Sequence, residues 1–284
     1  MNIHDIKQLY ASAPAGQALL RMVGDDSVRI AHLDGLTASA APLLFASIAD
    51  KAARVMLFIL QDNDEAGYFY HDLAQVLGTD SVLFYPSSYK RAVKYGQRDA
   101  ANEILRTEVL AQLAAMRTAQ PRSLYIVTCP EALSELVVSQ QQMSEHIITL
   151  AQRQTVVLTD LVRRLRSYGF QEMDYVYEPG QFAVRGSILD IYSYSCEYPF
   201  RIDFFGDEID TIRTFEVQDQ LSRDAREQVE IVPEMAAAQA DKVPFLHFLP
   251  SSALLVVKDY AYIRDTIDRI YQDGFSSQAL TIRL

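Results

Sequence analysis

The sequence predicts an α/β chain in which a parallel-sheet layer is interrupted by an inserted α+β antiparallel domain. Three observations predict it. The first half alternates short apolar runs with helix-like stretches, the pattern of βαβ units. Between residues 181 and 217, strand-like runs crowd together with turn residues among them, as in an antiparallel meander. After residue 235 the strand-then-helix style resumes. The expected boundaries are 1–138 for the first part of the α/β layer, 139–234 for the inserted domain and 235–284 for the return to the layer.

The elements follow in chain order. Val28 to Leu33 reads as a strand, and Pro42 to Ala53 as a helix whose proline sits in the first turn, where its missing N–H is not needed. VMLFIL at 55–60 is apolar throughout, as strands buried on both faces are. Asp62 or Asn63 caps a helix running to Leu77, and Gly78 ends it. SVLFYP is a strand, residues 97–116 form a long helix, and LYIVT at 124–128 is a further strand. Pro130 opens a short helix over PEALSELVV. The style changes near 139, where SQQQMSEHIITLAQRQ is polar and mixed. Thr159 or Asp160 then caps a helix with Leu161, Val162, Leu165 and Tyr168 on one stripe, stopped by Gly169. QFAVRG, SILDIYS, FRIDFF and TIRTFEV are the meander strands, with Pro179-Gly180 and Gly206-Asp207 as turns. ALLVVKDY is strand-like and AYIRDTIDRIYQ helix-like. The closing TIRL breaks off within a pattern, so a longer chain is expected.

Composition narrows the function classes. A chain of 284 residues suggests two domains of roughly 150 each. VMLFIL, its longest apolar run, is far short of the ~20 residues of a membrane span. MNIHDIKQLY carries no basic start followed by an apolar block, so no secretory signal is expected. Cys129 and Cys196 form no CxxC or metal-type spacing and read as free thiols of a cytoplasmic protein. The five histidines are scattered, and neither HExxH nor GxSxG occurs. No metal, cofactor or catalytic residue is therefore expected. The net charge of −11 argues against strong independent DNA binding, which rests on Lys/Arg contacts to phosphate, and favours a protein partner.

Residues 33–42, LDGLTASAAP, occupy a strand-to-helix turn where a phosphate-binding loop would sit. A Walker A loop reads GxxxxGK[ST]: glycines let backbone N–H groups wrap the phosphates, lysine reaches the outer phosphates and the hydroxyl holds magnesium. Laid over this turn from Gly35, the second glycine falls on Ala40, the lysine on Ala41 and the hydroxyl on Pro42. Every phosphate-handling side chain is missing, and Pro42 also removes a backbone donor. The residues alone leave an ordinary turn or a decayed loop. FFGDE at 204–208 imitates a Walker B strand, but Gly206-Asp207 is a hairpin pair. Asp207 and Glu208 are also no glycosidase pair, since adjacent strand residues point to opposite faces.

FRIDFF holds a different signal. Strand alternation puts Phe200, Ile202 and Phe204 on the inner face, and Arg201, Asp203 and Phe205 on the outer one. In QFAVRG, Phe182 and Val184 face inward and Arg185 outward, with Gly186 as a bulge that returns Leu189 and Ile191 to the inner face. If these strands pair, Arg185, Arg201 and Phe205 form one exposed patch, a composition enriched at interface hot spots. The bland alternative pairs Arg201 with Asp190 or Asp203 and lets Phe205 cap a small second core.

YEPGQFAVRGSILDIYS followed by YPFRIDFFGDEIDTIRTFEV resembles the N-terminal, UvrB-like module of the bacterial transcription-repair coupling factors. The resemblance is strong over 159–234 and looser elsewhere, through the turn at 28–53, YPSSYKRAVKYGQRDAANEILRTEVLAQL and LYIVTCPEAL. It implies a helicase-like α/β domain with a degenerate P-loop, so LDGLTASAAP becomes a decayed nucleotide loop without ATP. It implies docking of UvrA, in the way UvrB docks it, through the arginine of the xRG strand and the first arginine and last phenylalanine of the RxDFF strand. Those positions are Arg185, Arg201 and Phe205 here. UvrB has a further arginine where this chain has Ala183. The resemblance also implies masking of this face by a C-terminal domain, and DNA translocation and RNA polymerase contact in later domains. A monomer is the expected state. Two rivals stand beside this reading. One is a nucleotide-dependent repair-helicase fragment. The other is a single-strand binder using Tyr85, Tyr89 and Tyr95 interleaved with Lys90, Arg91 and Lys94.

Overall fold

A computed structural model describes residues 2–89, 99–116, 122–234 and 242–273. The chain divides into two compact units: residues 1–97, 115–136 and 244–284 form one, and residues 98–114 and 137–243 the other.

The first unit is built on a four-stranded parallel sheet. Its order is Leu254–Val257, Val55–Ile59, Leu124–Thr128, Val82–Tyr85. The two inner strands, VMLFI and LYIVT, are buried at every position, which explains why they read as continuous apolar runs rather than alternating ones. The strand after residue 250 lies beside Val55–Ile59, so the parallel layer resumes after the antiparallel segment, as the sequence predicts. Asp62 caps the Asn63–Leu77 helix by accepting the N–H groups of Asp64 and Glu65, both at 2.9 Å. Gly78 closes it with φ +83°, a conformation glycine adopts without a Cβ penalty. Two N-terminal helices, Ile3–Ser12 and Pro14–Gly24, precede the sheet.

Three expectations before residue 139 are corrected. Val28–Leu33 joins no described sheet, and Ile30 is 80% exposed. Its alternation suits a strand, but a strand needs a neighbour to bond to, and these residues have none among the described ones. The helix expected over 42–53 is shorter, Ala40–Ala46, followed by turns. PEALSELVV is helical only over Pro130–Leu133 and becomes a strand at Leu136–Val138, where the β-branched valines suit a pleated surface. Tyr85 is fully buried and stacks on Phe245 at 4.1 Å between centroids, so it presents no face to a nucleobase. Lys90, Arg91, Lys94 and Tyr95 lie outside the described residues.

The second unit holds a six-stranded sheet. Its order is Ser222–Arg226, Glu208–Phe215, Phe200–Phe205, Ile188–Ile191, Gln181–Arg185, Gln171–Glu172. All pairings are antiparallel except the last, which is parallel. The inner face carries Phe182, Leu189, Ile191, Phe200, Ile202 and Phe204. They pack with Leu161, Val162 and Leu165 of the Leu158–Ser167 helix. A short antiparallel pair, Ile148–Ala151 with Gln228–Ile231, adds Ile148, Leu150, Val229 and Ile231. Each large side chain so buried contributes about 1.5–3 kcal/mol, and truncating Ile202 to alanine would cost about 2–5 kcal/mol. The helix begins earlier than expected: Val157 is its N-cap in place of Thr159 or Asp160, and it makes no side-chain cap bond. Gly169, at φ +85°, does end it.

Candidate functional site

Gly186 is the first of two residues joining the hairpin, since Arg185 pairs with Ile188 across it. Its φ of +63° is the one that a two-residue turn asks of glycine at that place. The expected bulge is therefore a turn. The consequence for side-chain direction is the same, because a two-residue turn also returns Leu189 and Ile191 to the inner face, where both are fully buried. Gly206-Asp207 is likewise the turn between Phe200–Phe205 and Glu208–Phe215, so the acids of FFGDE cap a hairpin.

Register then builds the outer face. Ala183, Asp190, Arg201 and Arg213 lie in one row across four strands. Arg185, Ile188, Asp203 and Thr211 form the next row. Arg201 is thus directly opposite Asp190, and Arg185 is diagonal to it, within reach of a long side chain. Arg201 donates from Nε to Asp190 Oδ1 at 2.8 Å and from Nη2 to Oδ2 at 2.9 Å, a two-point fork. Arg185 donates to the same carboxylate through Nη2. Asp190 is fully buried, and the hydrogen bonds to its carboxylate raise the Arg201 pKa. Arg201 also donates from Nη1 to the Gln220 carbonyl at 2.9 Å and lies over the Phe215 ring. In the adjoining rows Asp203 accepts from Arg213 at 2.5 Å and from the Thr211 hydroxyl at 2.9 Å. Three guanidiniums therefore meet two carboxylates at the centre of this face.

The face differs from the uniform exposed patch that alternation predicts. The Arg201 side chain is only 14% exposed, against 35% for Arg185, while Phe205 as a residue is 84% exposed. The reason is a small second core on the outer face, made of Val176, Ala183 and Phe215 with Tyr192 against it. The bland alternative holds for Arg201, which pairs with Asp190, but the small second core forms around Phe215 and Phe205 does not cap it. The Arg185 guanidinium lies 5.2 Å from the Tyr175 ring centroid, and Tyr175 and Tyr177 are both about half-exposed. Sequence reasoning passed over Tyr175 and Phe215. The aromatic alternation of DYVYEPG just before the Pro179-Gly180 turn was the available signal for Tyr175.

At the other candidate, Gly35 has φ +76° and Ala38 φ +50°, so the turn keeps two left-handed positions. Ser39 caps the following helix without a side-chain bond. Ala40 and Ala41 begin that helix and Pro42 is buried in its first turn, so no lysine or hydroxyl stands at the places a phosphate would require. Among the described residues no group of three or more His, Cys, Asp or Glu is placed to hold a metal ion, and no helix is long and apolar enough to cross a membrane.

Residues 148–236, which contain this face, match the family model of the UvrB interaction domain. This chain resembles that domain over these residues. It is similar over a longer stretch to transcription-repair-coupling factors. The Escherichia coli (strain K12) protein is 29% identical over 203 residues, 71% of this chain and 17% of that protein. The Bacillus subtilis (strain 168) protein is 29% identical over 210 residues, covering 71% and 17%. The Mycobacterium bovis protein is 31% identical over 224 residues, covering 78% and 18%. The chain thus spans less than a fifth of the curated relatives it matches. The matched residues 148–236 hold all six strands of the antiparallel sheet, and the longer similarity to the coupling factors reaches beyond them.

Proposed function

We propose that this chain is a non-catalytic recruitment module of transcription-coupled nucleotide-excision repair that docks UvrA through the outer face of its antiparallel sheet. The observation that carries the reading is the pair of arginines held on one buried carboxylate, with an exposed phenylalanine on the same face, inside the residues that match the UvrB interaction domain. Arg185 supplies charge-assisted hydrogen bonds to acidic groups of the partner, Arg201 contributes through its exposed edge, and Phe205 is the apolar anchor. The loop at Gly35, Ala40, Ala41 and Pro42 is a decayed nucleotide site that binds no ATP. The domain of residues 139–234 is inserted between 1–138 and 235–284. In a longer chain, a C-terminal domain covers the face until the factor engages a stalled polymerase.

Calorimetric titration of the chain into purified UvrA tests the reading, with Arg185→Ala and Phe205→Ala beside the unsubstituted protein. Saturable binding that both changes weaken, with circular dichroism unaltered, supports it. No binding by the unsubstituted chain would leave similarity of fold alone. A parallel titration with ATP and magnesium tests the decayed loop, where any saturable heat overturns that part of the proposal.

A further inference from the structure

We infer that Asp190 is a positioning residue of the docking face: it never meets the partner, and it sets the place and orientation of the two arginines that do. The inference rests on the docking reading above and adds a residue to it.

The geometry is specific. Asp190 has no exposed surface, so no group of a partner can reach it. Its two carboxylate oxygens are engaged by two guanidiniums from two neighbouring strands. A fork bond fixes the plane of the Arg201 guanidinium as well as its position, because both N–H vectors must align with the two oxygens. Phe215 holds the guanidinium carbon 4.5 Å above its ring, and the Gln220 carbonyl takes one Nη1 donor. Arg201 is thereby restrained on three sides. Arg185 spends one nitrogen on Asp190 and rests near the Tyr175 ring. With its side chain 35% exposed, it keeps donors for a partner. Long arginine side chains lose rotamer freedom when they bind, and holding them in place beforehand removes that cost from association.

Electrostatics and positioning predict opposite signs for one substitution, which makes the inference sharp. Asp190→Asn removes a negative charge and leaves the face one unit more cationic. If only net charge mattered, an acidic partner surface would bind more tightly. If Asp190 positions the arginines, binding weakens, because the amide offers one acceptor oxygen in place of two and the fork is lost.

The test is UvrA binding by calorimetry for the unsubstituted 284-residue chain, Asp190→Asn and Arg201→Lys. It is combined with thermal melting and with ¹⁵N NMR of the arginine Nε–Hε groups. Arg201→Lys keeps the charge and a pairing with Asp190 and gives up the fork, together with the guanidinium's contacts to Gln220 and Phe215. The expected result is a loss of affinity of about tenfold or more in both variants. In the unsubstituted chain the Arg201 Nε–Hε signal is dispersed and protected from water exchange, and Asp190→Asn removes that protection. Unchanged or tighter binding by a folded Asp190→Asn chain overturns the inference. Should Asp190→Asn fail to fold, Arg201→Lys decides: affinity equal to that of the unsubstituted chain overturns it. No binding by the unsubstituted chain overturns the docking reading and this inference together, whereas binding that neither variant alters overturns the inference alone.

Discussion

Arg201 sits over the ring of Phe215, its guanidinium carbon 4.5 Å from the ring centroid, and the ring is fully buried. One side of the arginine is thus closed by a core residue, while Asp190 closes an edge. The side chain belongs to the fold as much as to the surface. Arg201→Glu would put a second carboxylate beside the buried Asp190 and is expected to cost on the order of 3 kcal/mol of stability, since one partner of a buried pair is lost and a like charge gained. Chemical denaturation of Arg201→Glu against the unsubstituted chain measures this. A loss of docking in that variant would therefore report on folding as well as on contact, and the milder Arg201→Lys is the informative change.

Phe205 is the opposite case. It is 84% exposed, at the last position of its strand, and belongs to neither core cluster of the sheet. Phe205→Ala is expected to leave stability within about 0.5 kcal/mol and to weaken UvrA binding by about 2 kcal/mol or more. Denaturation and calorimetry on one preparation check both. A drop in stability without a change in affinity would place Phe205 in the fold and remove it from the interface.

The difference between these two residues marks how much of the site was legible in the sequence. Period-two alternation located Arg185, Arg201 and Phe205 on one face, because side-chain direction in a strand is a local property. Local pattern could not say that the 172–180 segment brings Val176 over that face, nor that Phe215 from the next strand completes a second core with Ala183. Burial of Arg201 follows from those non-local contacts. The same limit applies to Val28–Leu33, where the alternation is right for a strand and the neighbour is missing among the described residues. By contrast, Asp62 and Gly78 were legible because a cap is decided by a side chain two or three residues from the N–H groups it bonds.

Alkaline pH should loosen the antiparallel unit. Burial pushes the Tyr192 hydroxyl from 10 up to about 12, and the Cys196 thiol from 9 up to about 12. In both groups the folded value lies above the unfolded one, so the folded chain holds protons that the unfolded chain has released. Stability is fully present below about pH 9 and is lost as pH rises through about 12. Melting temperature should fall across that window, and less steeply in Tyr192→Phe and Cys196→Ala. A flat profile to pH 12 would show that neither group is protected.

Ala38 holds a left-handed backbone, φ +50°, in the turn where a phosphate loop carries glycine. A residue with a Cβ costs roughly 1–2 kcal/mol in that region, and glycine gives back about 0.5–1 kcal/mol in chain entropy. Ala38→Gly is expected to raise stability by up to about 1 kcal/mol, read as a higher melting temperature. It should not create nucleotide binding, because Ala41 still stands where the lysine is required. Saturable ATP binding by Ala38→Gly would mean that backbone donors alone suffice at this loop.

The resemblance to UvrB implies an additional arginine at the position of Ala183, and the obvious experiment is to restore it. The structure predicts that Ala183→Arg fails. Ala183 is 1% exposed and sits against Val176 and Phe215, both fully buried. Directly opposite it is Asp190, whose carboxylate already serves Arg185 and Arg201. An arginine there must either displace the second core or share an occupied carboxylate. Overpacking alone costs about 1–3 kcal/mol, and a buried guanidinium without its own partner adds to that. The expected outcome is a less stable chain with weaker UvrA binding, measured by denaturation and calorimetry. Tighter binding in a chain of unaltered stability would show that Val176 and the loop bearing it yield easily, and that the second core is no part of what holds Arg201 in place.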